Sequence, residues 1–267
     1  MAQLFVGAPT REQMTKTKAL GPAARSVTPC QKCPLRRLKW YRDFTPEELQ
    51  FVASFKSGEL KVQAGGTILT ENESSPNLYT VLSGWALKYK ALEDGRRQVT
   101  NYGLPGDLLG MQASVFDAMQ HSVEALTDVT LCILPRDKLW TLYGNFAGLA
   151  FDMTWLGARE ESILGEYLLS VGQRRASERL AYILLDLFTR ARRAGMTQKN
   201  KLMLPVTQEQ LADTVGFSLV HTNKTLQRLR GAGCFEWVGT SFHMLNEQTL
   251  ADLAGYAPPP DKARPFL

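Results

Sequence analysis

Along the chain, the spacing of apolar and polar positions changes period twice. Between Leu60 and Leu134, apolar residues come in short alternating runs at 60–62, 67–70, 78–82, 85–89, 98–102, 122–126 and 130–134. Turn-forming sequences separate them: Gly65-Gly66, Ser83-Gly84, Glu93-Asp94-Gly95-Arg96 and Leu104-Pro105-Gly106-Asp107. Many short strands at even intervals predict a double-sheet barrel or jelly roll. From Pro135 the period becomes helical. Leu139, Leu142, Phe146, Leu149, Met153, Leu156, Ile163, Tyr167 and Leu168 follow one long element. A small barrel is short cover for such a stripe, so it predicts a dimer seam; a helix lying across its own barrel is the other reading. A further helix over 176–193 packs through Leu180, Ile183, Leu184 and Leu187. Ahead of the barrel, 44–56 reads as a short helix with Thr45 as cap and Pro46 in the first turn. Residues 1–28 hold no sustained period and read as a loose arm, and 251–267, with Pro258-Pro259-Pro260, as a tail.

The second change of period carries the functional information. Thr207 with Gln210 forms a capping-box pattern, and Leu211, Ala212 and Val215 then share one helical face. Gly216 supplies the positive backbone angle of a tight turn. Ser218 caps a second helix with Thr222, Leu226 and Leu229 inward. Val220, Asn223, Lys224, Gln227 and Arg228 are left outward. Amides and cations on one helix face match base edges and phosphates in a major groove. A plain helical hairpin with a solvated face shares this spacing. The distinguishing sign lies just downstream: two alternating runs, 234–238 and 241–245, around Gly239-Thr240. Helix, turn, helix and β-hairpin in this order predict a winged helix-turn-helix. The candidate DNA contacts are Thr207, Gln208, Ser218, Val220, His221, Asn223, Lys224, Gln227 and Arg228. Val220 suits a thymine methyl or is simply an exposed apolar residue; Asn223 suits adenine and Lys224 guanine or phosphate.

Composition narrows this further. With 44% apolar and 21% charged residues in 267, the chain has material for two cores. The net charge of +5 agrees with a nucleic-acid partner. Arg174, Arg175, Arg179, Arg190, Arg192, Arg193, Lys199 and Lys201 lead into the helix-turn-helix, so positive charge is expected to gather at the DNA end. No apolar run is long enough for a membrane span and no signal peptide is evident, which predicts a cytoplasmic protein with four free or metal-bound cysteines. An enzyme is not expected. A jelly-roll metalloenzyme needs converging histidines, and His121, His221 and His243 fall in different parts of the chain. A helix-turn-helix that docks protein instead of DNA is a further alternative.

Leu82-Ser83-Gly84-Trp85, Pro105-Gly106-Asp107-Leu108-Leu109-Gly110 and Thr207-Gln208-Glu209-Gln210-Leu211-Ala212, in this order, resemble the catabolite-activator / fumarate-nitrate-regulator (CRP/FNR) family of bacterial transcription factors. The resemblance spans roughly residues 30–250. It implies an α+β chain: a cyclic-nucleotide-binding-like β jelly roll over 29–138, a dimerisation helix over 139–172 and a winged helix-turn-helix over 173–250. It also implies a homodimer on palindromic double-stranded DNA, with RNA polymerase as a partner. Cyclic AMP does not suit this chain, because Met111-Gln112 and Met119-Gln120-His121-Ser122 stand where the family holds the ribose and phosphate. In the oxygen-sensing branch an iron–sulfur cluster is held by N-terminal cysteines and one on the last strand. Cys30, Cys33 and Cys132 match three of these, the last within Cys132-Ile133-Leu134-Pro135, but Lys39 stands where another cysteine is expected. A cluster with an oxygen ligand such as Asp43, a structural set of thiols, and a regulator that needs no effector all remain open.

Overall fold

The computed structural model describes residues 28–258 and 263–267; the expected arm over 1–28 lies outside the described residues apart from Thr28. Two short 3-10 turns, Cys30–Lys32 and Pro34–Arg37, lead to α1 (Pro46–Phe55). Thr45 accepts from the Glu48 backbone while the Glu48 carboxylate accepts from the Thr45 N–H, so both orphan donors are satisfied as the capping-box pattern requires.

The barrel comes next: β1 (Gly58–Val62), β2 (Thr67–Leu69), β3 (Asn77–Ser83), β4 (Ala86–Ala91), β5 (Arg97–Gly103), β6 (Leu108–Leu109), α2 (Met111–Phe116), β7 (Ser122–Ala125) and β8 (Val129–Pro135). All seven expected strands are present, and the two-residue β6 is added. They form two four-stranded antiparallel sheets, β1-β8-β3-β6 and β2-β7-β4-β5. Val81, Ala86, Leu109, Ala113, Met119, Val123, Ala125 and Leu131 form an apolar cluster between them. Gly84 and Gly106 are required by their surroundings. A Cβ on Gly84 would stand 2.3 Å from the Asp128 carbonyl, and one on Gly106 would stand 2.3 Å from the Tyr41 hydroxyl, both at positive φ.

The helical stretch departs from expectation in two ways. It is two helices, α3 (Leu139–Asn145) and α4 (Ala147–Gly172), because Phe146 leaves helical geometry at φ −131° and ψ 79°. Its predicted seam is also mostly covered by its own chain. Leu139, Leu142, Leu149, Met153 and Leu156 join the core under the barrel with Phe55, Leu78 and Leu134, and Tyr167 joins the core of the C-terminal half. Phe146 and Ile163 pack against the core under the barrel and the core of the C-terminal half, so of the predicted stripe only Leu168 is exposed, at 71%. A different line on α4 faces outward: Phe151, Thr154, Ala158, Glu161, Gly165 and Leu168 are exposed at alternating spacings of three and four.

The C-terminal half comprises α5 (Ala176–Arg193), β9 (Thr197–Gln198), β10 (Lys201–Met203), α6 (Gln208–Val215), α7 (Leu219–Gly231), β11 (Phe235–Val238), β12 (Ser241–Met244) and α8 (Glu247–Ala254). The four strands form one sheet in the order β11-β12-β10-β9. α5 is the spine, with Leu180, Ile183, Leu184, Leu187 and Phe188 buried against residues of α6, α7 and the sheet. Within the expected tail, residues 251–254 and 266–267 are folded onto the body. The Asn246 side chain accepts from the Thr249 backbone to cap α8, whose Leu250 and Ala254 enter this core one turn apart. Farther on, Phe266 and Leu267 are buried in the core under the barrel; Phe266 packs edge-on to Tyr41 at 5.2 Å, and Thr80 donates to the Leu267 carbonyl.

Candidate nucleic-acid interface

Local chemistry sets the helix-turn-helix. The Thr207 hydroxyl accepts from the Gln210 backbone at 3.1 Å, and the Gln210 side chain accepts from the Thr207 N–H at 2.9 Å. Gly216 closes α6 at φ 70°, and the Ser218 hydroxyl accepts from the His221 backbone at 3.3 Å to start α7. Leu211, Ala212, Val215, Thr222, Leu226 and Leu229 are buried, which holds α7 against α6 and α5 by its apolar side. The corner is locked by Arg179, whose guanidinium donates to the Val215 carbonyl at 2.6 Å and lies 4.5 Å over the Phe217 ring.

Thr207, Gln208, Ser218, Val220, His221, Lys224, Gln227 and Arg228 are all exposed, and Arg230 joins them. Val220 is 64% exposed. The His221 ring stacks on Phe217 at 4.4 Å, which orients it at the start of α7. Asn223 differs from expectation: it is half-buried, and its amide oxygen is buried with no partner among the described residues. It sits in a groove of about 450 Å³ between the start of α6, α7 and the wing, lined also by Thr207, Gln208, Gln227, Arg230 and Trp237. Cations and amides thus share one open face with a groove beside it.

Five arginines of the basic run ahead of the motif are engaged elsewhere, while Arg175, Lys199 and Lys201 are exposed. Arg190 is buried, Arg174 pairs with Glu166 at 2.9 Å, Arg192 with Glu247 at 2.7 Å, and Arg179 holds the corner. Arg193 lies over the Trp40 ring at 4.7 Å. Helical spacing turned these arginines toward the N-terminal half or into local pairs, so their linear density overstated the charge offered to DNA.

One of them, Arg190, ends at Asp107, which the sequence marked only as part of a turn. Its carboxylate accepts from Arg159 of α4 at 3.0 Å, Arg190 of α5 at 3.1 Å, Arg264 at 2.9 Å and the Leu104 backbone at 2.9 Å. Burial pushes this acid up, but the three guanidiniums prevail and hold it far below the ordinary carboxylate range. The barrel half also grips α6 directly. Arg97 donates to Asp213 at 2.6 Å, Gln98 to the Thr214 carbonyl at 2.9 Å, and the Tyr102 and Thr214 hydroxyls meet at 2.7 Å. Fold position alone brings these groups together; only the Pro-Gly-Asp turn was visible as a signal beforehand.

At the far end, Cys30, Cys33 and Cys132 line one small apolar pocket with Lys56, Phe266 and Leu267. The fold therefore unites the three cysteines that the sequence marked. They do not fit an iron–sulfur cluster in this arrangement. The cavity is about 20 Å³, the room of roughly one water. Burial pushes all three thiols up, Cys132 to about 12, so in this arrangement they are neutral thiols packed in an apolar pocket. Asp43 faces outward beside Arg36 at 3.8 Å, and no group of three His, Cys, Asp or Glu able to hold a metal occurs among the described residues. Cys234 is a buried core residue of the wing. His121 lies in the sensor half, where burial and then Lys88 push it down to about 4, while His221 and His243 lie in the DNA-binding half.

Known proteins agree with this division. A model of the cyclic nucleotide-binding domain matches residues 59–145, and one of the Crp-like helix-turn-helix domain matches residues 178–253. The transcriptional activatory protein AadR of Rhodopseudomonas palustris is 30% identical over 61% of this chain and 66% of its own. The fumarate and nitrate reduction regulatory protein of Escherichia coli is 25% identical over 85% of this chain and 90% of its own. Among solved structures, FixK2 from Bradyrhizobium japonicum superposes with a TM-score of 0.68 at 26% identity, over 74% of this chain and 98% of that one. With both domain types in the family's order and these regulators as relatives, the chain belongs to the CRP/FNR family of DNA-binding transcription regulators, which are not enzymes.

Proposed function

We propose that the protein works as a homodimer on a two-fold symmetric duplex site, reading sequence through the exposed face of α7. The observation that carries this is the open set Val220, Lys224, Gln227 and Arg228 on a helix whose other side is fully buried. Arg228 and Arg230 contact phosphates and set the register, while Val220 and Lys224 meet base edges. Thr207, Gln208, Ser218 and His221, at the starts of the two helices, stand where backbone contacts form. Asn223 supports the groove and reaches a base edge only if its side chain turns outward. The domain limits of 29–138, 139–172 and 173–250 serve this reading with one change: α8 and 263–267 belong with the folded body.

The dimer uses the outward line on α4. Phe151 and Leu168 supply apolar contacts, and the small Ala158 and Gly165 between them let a second α4 approach closely. Cyclic AMP is not the signal, since Met119 fills the roll interior where a phosphate would need a guanidinium. Cys30, Cys33 and Cys132 pack together without a fourth donor among the described residues, which favours a structural set of thiols over a cluster. RNA polymerase is the natural further partner of a regulator of this class.

Two measurements test the reading. Selection from a random duplex pool should enrich a two-fold symmetric sequence; a flat pool under both aerobic and anaerobic conditions would overturn it. Sedimentation should give a dimer that Leu168→Glu converts to monomer with little change in thermal midpoint.

A further inference from the structure

One lysine lies on the inner face of the barrel. On β4, Lys88 follows Ala86 on that face and stands opposite Val123, and both of these belong to the apolar cluster between the sheets. Lys88 is only 4% exposed, and an ammonium so enclosed needs a partner. The partner comes from outside the barrel. Lys88 Nζ donates to the Glu160 carboxylate of α4 at 2.7 Å, and Asn101, opposite Lys88 on β5, donates to the same oxygen at 3.0 Å. Burial pushes Glu160 up, but Lys88 prevails and holds it below the ordinary carboxylate range. One turn earlier, Gly157 lies against α2, where a Cβ would stand 3.4 Å from the Met111 sulfur. The long helix is thus fastened to the barrel interior by a charge pair beside a close backbone contact.

The same strand reaches the DNA-binding half from its other face. Asn101 turns inward to Glu160, while the next residue, Tyr102, turns outward and meets the Thr214 hydroxyl of α6 at 2.7 Å. Arg97 and Gln98, at the start of β5, hold Asp213 and the Thr214 carbonyl. The Asn101 amide oxygen also accepts from Arg190 of α5 at 2.9 Å. Hydrogen-bonded side chains on a rigid strand are the kind of contiguous network that carries coupling between separate sites. We infer that Lys88 and Glu160 are positioning residues for DNA recognition: their pair sets α4 against the barrel, and β5 passes that setting to α6. The consequence for DNA rests on the function proposed above, whereas the coupling from the barrel interior to α6 does not.

Hydrogen exchange of the full chain, read by mass spectrometry, tests the coupling without DNA. In Lys88→Met and in Glu160→Gln, amides of β5 and α6 should exchange about tenfold faster than in the unaltered protein. Those of α8, in the same C-terminal core, should keep their rates. If Lys88→Met loosens the whole barrel, Glu160→Gln decides, because that side chain is 34% exposed and the amide keeps its shape. Unchanged exchange in α6, or an equal rise in α6 and α8, would overturn the inference. Titration with the selected duplex then tests the link to recognition. Both variants should bind about tenfold more weakly with the same slope of log affinity against log salt, since every phosphate contact is retained. Faster α6 exchange with full DNA affinity would overturn the assignment to recognition. Failure of the unaltered chain to bind any duplex would instead fault the DNA reading, with exchange still deciding the coupling.

Discussion

The arginines of α5 and the cations of α7 carry the same charge and lie within one domain, but their surroundings give them opposite work. Arg190 is sealed against Asp107 and Asp186 and ties three parts of the molecule together. Lys224 and Arg228 stand exposed on the open face of their helix. A guanidinium enclosed with its counter-charge is structural, because removing one member leaves the rest buried and unpaired. A cation in water stabilises almost nothing by itself and keeps its charge for a partner. Basic density along a chain therefore becomes informative only after burial has been subtracted.

The largest effect should come from the buried side of this contrast. Asp107→Ala strands three guanidiniums and should cost about 3–5 kcal/mol in chemical denaturation. Because this carboxyl lies far below its unfolded value of about 3.9, the stability it confers is present at neutral pH and fades only as pH falls below about 4. Acid titration of the wild type and the variant should therefore converge in that range; a variant as stable as wild type at pH 7 would break the contrast. On the exposed side, Lys224→Ala with Arg228→Ala should leave the melting curve in place. It should weaken DNA binding and lower the slope of log affinity against log salt by about one for each phosphate that these side chains neutralise. Arg192→Ala, which removes a surface pair with Glu247, should change neither by more than about 1 kcal/mol. The smallest effect sharpens the pH axis. His121 is pushed down to about 4 by burial and then by Lys88, so the unfolded chain takes up its proton first. Stability should fall as pH drops from about 6.5 toward 4. His121→Gln should remove that part of the slope, on the order of 1 kcal/mol after solvent screening, seen as denaturation midpoints at the two ends of the window.

What could be read from the chain was what short-range chemistry decides. The caps at Thr45, Thr207 and Ser218, the turn at Gly216 and all seven long strands depend on neighbours a few residues away, and each is found at its expected place. Ownership of a surface is decided at long range. The Leu139–Leu156 stripe looked unpartnered because nothing in its spacing says that α1 and residues 266–267 complete its cover. The break at Phe146 was hidden by a period that continues across it. Asn223 had the outward phase expected of a base-reading residue, but the wing, folded against α7, half-covers it. The candidate interface was therefore legible in outline, and the coupling through Asp107 was not, since its three arginines lie 52 to 157 positions away.

Thr80 waits for a residue 187 positions downstream, and Phe44 and Tyr41 pack on Phe266. The core under the barrel thus closes only after the C-terminal half of the chain has been synthesised. The two halves are then completed together, and a chain interrupted between them would be left with an unfinished core.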